Sequence, residues 1–204
     1  MARVIRSERR LGRPPDTDSL ATRQRILDVA RREFAVHGYE VATNRRIATR
    51  VGITTAAVYH YFPSKADLYV EVLVDAEATV ATRFAHVVST SSSLSDRLAR
   101  VLDESHVMNS EDPSLAQLLA AFRIDERRHP DVAALVAGRH RPVATFFTGI
   151  VDDAIAAGEI PASARRSTLA LVTILLVGLS DAMSDDLRTH RLGVEAAKAF
   201  LAPR

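Results

Sequence analysis

The first third of the chain sets short apolar stripes at helical spacing between polar stops. Ile26, Val29, Ala30 and Phe34 recur at i, i+3 and i+4, with Asp18 or Ser19 ahead of them as N-cap and Gly38 behind as a stop. Tyr39, just past that glycine, is placed for the apolar contact that accompanies a left-handed helix end. A shorter stripe, Ile47, Ala48 and Val51, opens at Thr43 and closes at Gly52. Thr54 then caps a third helix, and Ser64 a fourth that carries Leu68 and Leu73 inside. One supporting helix followed by helix, tight glycine turn and helix is the outline of a helix-turn-helix.

The remainder predicts helices over 98–108, 115–124, 132–157, 167–183 and 194–202, with a serine-rich loop at 89–95. Pro113, Pro130 and Pro161 lie near helix starts, Pro142 falls inside a helical pattern and predicts a kink, and Gly158 reads as a stop. No strand is needed, so the expected class is all-α. The longest apolar run, 169–179, is interrupted by Thr173 and Gly178 and falls short of the ~20 residues of a membrane helix. It reads as a buried helix, and no membrane partner is expected.

The third helix, within TTAAVYHYFPSK at 54–65, has two unlike faces. At 100° per residue Thr54, Ala57, Val58 and Tyr61 share one side and Thr55, Ala56, Tyr59 and His60 the other. Val58 and Phe62, with Ile53 in the turn, are expected to pack on Phe34, Ile47 and Leu68. The opposite face is small at its start, so Thr55 can hydrogen-bond to base edges, and the Ala56 and Ala57 methyls can meet thymine methyls. Tyr59 and His60 stand farther along, within reach of phosphates. Tyr61 is divided between core and phosphate, and His60 between strand and solvent. Lys65 falls in the first turn of a helix, opposing its dipole by ~0.3–1 kcal/mol, a cost that a bound phosphate would offset.

Charge adds to this picture. Residues 1–65 carry a net +7 and residues 66–204 a net −5, so the helix-turn-helix end is suited to a polyanion, a solubilising basic tail being the alternative. The chain has no cysteine, which excludes disulfides, thiolate metal sites and cysteine nucleophiles and fits a reducing, cytoplasmic setting. MARVIRSERR has no apolar stretch behind its charges, so no signal peptide is expected. His106, His129 and His140 offer no i, i+4 metal pair, and adjacent Asp152-Asp153 and Asp185-Asp186 diverge around their helices too far for a carboxylate dyad. No phosphate loop or nucleophile and base motif is present, so no enzyme, metal or cofactor is expected.

The run ILDVARREFAVHGYEVATNRRIATRVGITTAAVYHYFPSKADL closely resembles the DNA-binding domain of the TetR family of bacterial transcriptional regulators. The resemblance rests on Phe34 and His37-Gly38-Tyr39, then Thr43, Ile47-Ala48 and Val51-Gly52-Ile53, and last Val58 to Phe62 with Ser64-Lys65 and Leu68. It covers about a fifth of the chain. It implies that Thr55, Ala56 and Ala57 form a major-groove surface and that Tyr59, Tyr61 and Lys65 contact phosphates, with His60 between them. Thr43 and Asn44 fall where backbone contacts occur in the family, and Arg45 where some members read a base, a solvated surface arginine being the alternative. Many relatives have lysine and glycine where this chain has Thr55 and Ala56, so the groove face here is less charged and less flexible. The N-terminal arm, with Arg3, Arg6, Arg9, Arg10 and Arg13, contains Gly12-Arg13-Pro14, which resembles the centre of a minor-groove AT-hook, a disordered tail being the alternative.

The resemblance further implies three parts: a basic arm at 1–18, a helix-turn-helix DNA-binding domain at 19–65, and a larger helical effector-binding and dimerisation domain at 66–204. The function it implies is that of a repressor, binding double-stranded DNA as a homodimer through the helices at 167–183 and 194–202 and released by a small, largely apolar effector. Candidate lining residues for that effector are Leu98, Leu102, Met108, Leu118, Phe122, Phe146, Phe147 and Ile150, each of which is also suited to plain core. The alternative is a regulator or architectural protein that uses the same DNA-binding end with no small-molecule effector.

Overall fold

Hydroxyl side chains start the helices that the sequence marks with them. In the computed structural model, which describes residues 15–90 and 93–201, Thr43 Oγ1 accepts from Arg46 N at 3.3 Å, Thr54 Oγ1 from Ala57 N at 3.1 Å and Ser64 Oγ from Asp67 N at 3.0 Å. Each bond satisfies a backbone N–H that the first helical turn leaves without a partner. The helices that follow are α2 (Asn44–Val51), α3 (Thr55–Tyr61) and α4 (Lys65–Val88). Ahead of them lies α1 (Pro15–Val41). After them come α5 (Leu94–Glu111), α6 (Ser114–Arg128), α7 (Pro130–Ala137), α8 (Pro142–Ala156), a 3-10 turn (Ala162–Ala164), α9 (Arg165–Asp185) and α10 (Leu187–Leu201). The fold is all-α, with no strand among the described residues.

Several boundaries differ from the sequence expectation. Helix α1 starts at Pro15, ahead of the expected cap, because proline suits the first helical position. Gly38 kinks α1 at φ 70°, ψ 172°, but one more turn follows, closed by Ala42 N donating to Gly38 O at 3.3 Å. The single kinked helix expected over 132–157 is two helices. Pro142 lacks the N–H that would reach back to Gly138, so the chain breaks over 138–141 and Pro142 opens α8. Helix α10 begins two turns earlier than expected, where Asp186 Oδ1 accepts from Thr189 N at 2.6 Å.

Helix α4 is the central post. It touches α1 at one end and α5, α7 and α8 farther along, while α6 packs on both α1 and α9, and α10 lies on α5 and α9. A continuous core runs from Phe34, Ile47, Val58 and Phe62 through Tyr69 to Phe122, joining the helix-turn-helix to the rest. Phe62 is 1% exposed, so its truncation to alanine would cost about 3–5 kcal/mol. A smaller core holds Leu102 against Leu179, Val194 and Ala197, seating α10.

Helix α9, which reads from the sequence as a buried helix with a second subunit expected against one side, is covered by its own chain on one side only. Val172 and Leu179 face inward, while Leu171 and Ile174 are 51% and 67% exposed. The segment Ala162–Leu179 is apolar and long enough to pass for a membrane span by composition, yet only 11% of it is buried. On α10, Phe200 is 92% exposed.

Candidate nucleic-acid interface and ligand cavity

The turn between α2 and α3 depends on one backbone conformation. Gly52 sits at φ 80°, ψ 33°, and its N–H and that of Ile53 both donate to Ala48 O at 3.0 Å. A Cβ there would meet nothing within 4 Å, so glycine is needed for the left-handed dihedral and not for space. Arg25 Nη2 donates to Val51 O at 2.7 Å, tying the end of α2 to α1.

Helix α3 follows its predicted phase at Val58, Ala56, Tyr59 and His60 but not at its start, where Thr54, expected on the inner side, is exposed. Val58 is fully buried, whereas Ala56, Tyr59 and His60 are exposed and Thr55 and Ala57 are half-buried. The His60 ring meets Tyr61 edge-on at 5.5 Å. The Tyr61 ring packs on the core, the first of its two expected placements, and its Oη accepts from Ser19 Oγ at 3.5 Å.

The three arginines of α2 are not equivalent. Glu33, 1% exposed on α1, holds Arg46 Nε at 2.9 Å from Oε2 and Arg50 Nη1 at 2.6 Å from Oε1. Arg45 is exposed and has no ion pair among the described residues. Thr43, the N-cap, is exposed as well. Asn44, expected to contact the DNA backbone, is instead 5% exposed, with both amide atoms buried and without a hydrogen-bond partner. Its side chain shares the inner face of α2 with Ile47 and Ala48 and is not presented outward.

Lys65 is engaged inside the protein. Its Nζ donates to Tyr39 O at 2.8 Å, Glu40 O at 3.2 Å and Ala42 O at 3.3 Å, and it lies 4.4 Å from the centre of the Tyr39 ring. The cation thus caps the end of α1, and the negative pole of that helix compensates the unfavourable dipole of α4. Burial lowers the Lys65 ammonium below its usual 10.5. Arg13 and the rest of the arginine arm lie outside the described residues.

Farther along α4 a cavity of about 560 Å³ opens between α4, α5, α6, α8 and α9, within the size range of small-molecule sites. Of the eight expected lining residues, Met108, Phe122 and Phe147 are on its wall. Leu98, Leu118 and Ile150 are buried in the main core, Phe146 packs against that core, and Leu102 sits in the smaller one, because their helical phases turn them away from the opening. The wall also contains polar groups that apolar periodicity could not flag. Glu77, buried on α4, accepts from Arg141 Nε at 2.9 Å. Asn109 lies 3.0 Å from His190 Nε2, and His190 Nδ1 is 3.2 Å from His106 Nδ1. Burial, with His106 beside it, pushes the His190 imidazole below its usual 6.5.

Helix α6 connects the cavity to the helix-turn-helix. Leu119, Phe122 and Arg123 face the opening, and Asp125 on the same helix accepts from Tyr39 N at 3.1 Å and from Tyr69 Oη at 2.8 Å. Tyr39 Oη donates to Asp131 at 3.1 Å; burial and that carboxylate push its phenol up to about 12. Arg31 on α1 donates to Asp112 at 2.9 Å and to Ser114 at 2.6 Å, at the start of α6. The kinked end of α1 is therefore held by the helix that lines the cavity.

Residues 26–72 match the sequence model of bacterial regulatory proteins, tetR family. The HTH-type transcriptional regulator UidR of Escherichia coli strain K12 is 24% identical over 183 residues, which cover 90% of each chain. The HTH-type transcriptional repressor AcnR of Corynebacterium glutamicum is 43% identical over 68 residues, 33% of this chain and 34% of that one. The solved structure of Salmonella enterica GusR shares the fold, with a TM-score of 0.72 at 23% identity over 94% of this chain and 96% of its own.

Proposed function

Because the chain belongs to the TetR family of bacterial regulatory proteins and is a DNA-binding transcriptional regulator, we propose that it is a homodimeric repressor whose operator binding is relieved by a small molecule in the α4–α9 cavity. The DNA-binding part is α1 to α3 with the start of α4, and the remainder is the effector and dimerisation part. In this reading the start of α3 enters the major groove with Thr55, Ala56 and Ala57 against base edges, while Tyr59, Tyr61, His60 and Thr43 lie along phosphates. Arg45 is the base reader, since its guanidinium has no ion pair among the described residues and can donate twice to guanine O6 and N7. Lys65 and Asn44 contribute indirectly, through the end of α1 and the inner face of α2.

The exposed apolar side of α9, with Leu171 and Ile174, and Phe200 on α10 support a dimer in which a second copy covers these helices. Pairing two helix-turn-helix units sets their separation against two half-sites one helical turn of DNA apart.

The single observation that carries the ligand-relief reading is that α6 both lines the cavity and holds Tyr39 through Asp125. A ligand that prefers the α6 position incompatible with DNA weakens operator binding by the ratio of its two affinities, typically 5–150-fold. The test begins with footprinting on the region upstream of the protein's own gene. Compounds that raise the melting temperature in a screen of hydrophobic metabolites are then titrated into the protein–duplex complex, and release of the duplex is expected. Stabilising compounds that leave duplex affinity within about twofold would sink ligand relief, and absence of duplex binding at low salt would sink the operator reading as well.

A further inference from the structure

The cavity wall is apolar apart from a few groups, and one of them is incompletely satisfied. Glu77 is only 4% exposed, in the run Val72-Leu73-Val74-Asp75-Ala76-Glu77 of α4. Arg141, at the entrance to α8, directs both Nε, at 2.9 Å, and Nη2, at 2.5 Å, to the same oxygen, Oε1. Its guanidinium is fixed there partly by lying over the Phe122 ring, 5.6 Å from the centre. Glu77 Oε2 is buried and has no hydrogen-bond partner among the described residues. Buried acceptors in folded proteins are nearly always paired, so a lone carboxylate oxygen on a residue of the cavity wall points to a donor brought by a ligand.

The charge around the cavity narrows the chemistry. Arg123, Arg127 and Arg141 line it against Glu77 and Asp181, and His190 is held toward its neutral form. Arg141 already balances Glu77, so a cationic ligand would add to a positive excess. An anion placed at Oε2 would meet a carboxylate, and an ether or ketone would offer that oxygen only lone pairs. A hydroxyl or an amide N–H satisfies it without introducing charge.

We propose that the cavity takes a neutral, largely apolar molecule bearing a hydroxyl or amide N–H, and that this group donates to Glu77 Oε2. The assignment rests on the ligand-responsive reading of the cavity given above. Glu77 is thereby the residue that selects donor-bearing ligands, with Arg141 holding its carboxylate in place.

The test compares 4-hexylphenol with 4-hexylanisole, which differ in whether the oxygen carries a proton, by calorimetric titration of the full chain. A preference of about 10-fold or more for the phenol is expected in the native protein, the effect of one hydrogen bond to a charged acceptor. In Glu77→Gln the amide can present N–H where Oε2 stood, so the preference is lost or reversed toward the anisole. Glu77→Asp keeps a carboxylate facing Arg141 but withdraws the oxygen by one methylene, and lowers the preference without reversing it. If Glu77→Gln does not fold, the Asp variant decides. Equal affinities for the two compounds in the native protein, a preference unchanged by both variants, or no binding of either compound overturns the assignment. Duplex binding by the ligand-free protein is a separate measurement, so the regulatory reading fails or stands independently of these titrations.

Discussion

Replacing Lys65 by methionine separates two roles that the sequence alone cannot distinguish. The substitution keeps the aliphatic stem and removes the ammonium that caps α1. Its 2.8 Å bond to Tyr39 O is the strong one of the three, and a charged hydrogen bond of this kind contributes about 1.5–3 kcal/mol. The Tyr39 ring at 4.4 Å adds about 0.5–1 kcal/mol. Against this, removal relieves ~0.3–1 kcal/mol of dipole repulsion in the first turn of α4, and water can partly replace the lysine because the site is only half-buried. The net loss expected is about 1.5–2.5 kcal/mol. For a chain of this length that corresponds to a melting temperature lower by roughly 4–8 °C, measured by circular dichroism at fixed protein concentration, since the proposed dimerisation would also shift the midpoint. Duplex affinity at equal folded concentration is expected to fall less than threefold. A stability loss below about 0.5 kcal/mol, together with a more than 10-fold loss of duplex binding, would refute the capping argument and make Lys65 a phosphate ligand.

Three further substitutions test other parts of the reading. Arg45→Ala should weaken binding to the footprinted site by about 1–3 kcal/mol in fluorescence anisotropy, and leave stability within about 0.5 kcal/mol because the side chain is exposed. Ile174→Lys, at a position 67% exposed in the single chain, should convert the proposed dimer to a monomer in sedimentation equilibrium while helical content is retained. Because burial lowers the folded-state pKa of His190, the unfolded chain binds its proton first as pH falls below about 6.5. Stability should therefore drop through that window, by up to about 1.4 kcal/mol per pH unit, and His190→Gln should flatten the slope in denaturant titrations.

What was legible in the sequence follows from how local each determinant is. Thr43, Thr54 and Ser64 act within three residues of themselves, and Gly52 acts through its own dihedral, so the helix starts and the turn could be read directly. The two faces of α3 follow from helical phase. The break at Pro142 was underestimated because a kink and a full interruption share one signal, and the side-chain direction of Asn44 depends on which face of α2 the core takes. Five of the eight expected cavity residues belong to core because an apolar residue on a central helix can face either a neighbour or a void. Glu33, Glu77 and Asp125 went unnoticed as partners, since their contacts lie 13 to 86 residues away. The available sign was chemical: Glu33 and Glu77 are carboxylates on helix faces that are otherwise apolar.

The pairing of Glu33 with Arg46 and Arg50 also bears on how binding responds to ionic strength. Cations condensed on a duplex are released only by protein charges free to replace them, and each phosphate so neutralised contributes about −0.9 to the slope of log affinity against log salt. Arg46 and Arg50 are held by a buried carboxylate, and Lys65 by carbonyl groups, whereas Arg45 on the same helix has no ion pair among the described residues. The helix-turn-helix of each protomer therefore displaces fewer counterions than its count of basic residues implies. Its operator complex should persist at salt concentrations that dissolve one made by the same charges left free.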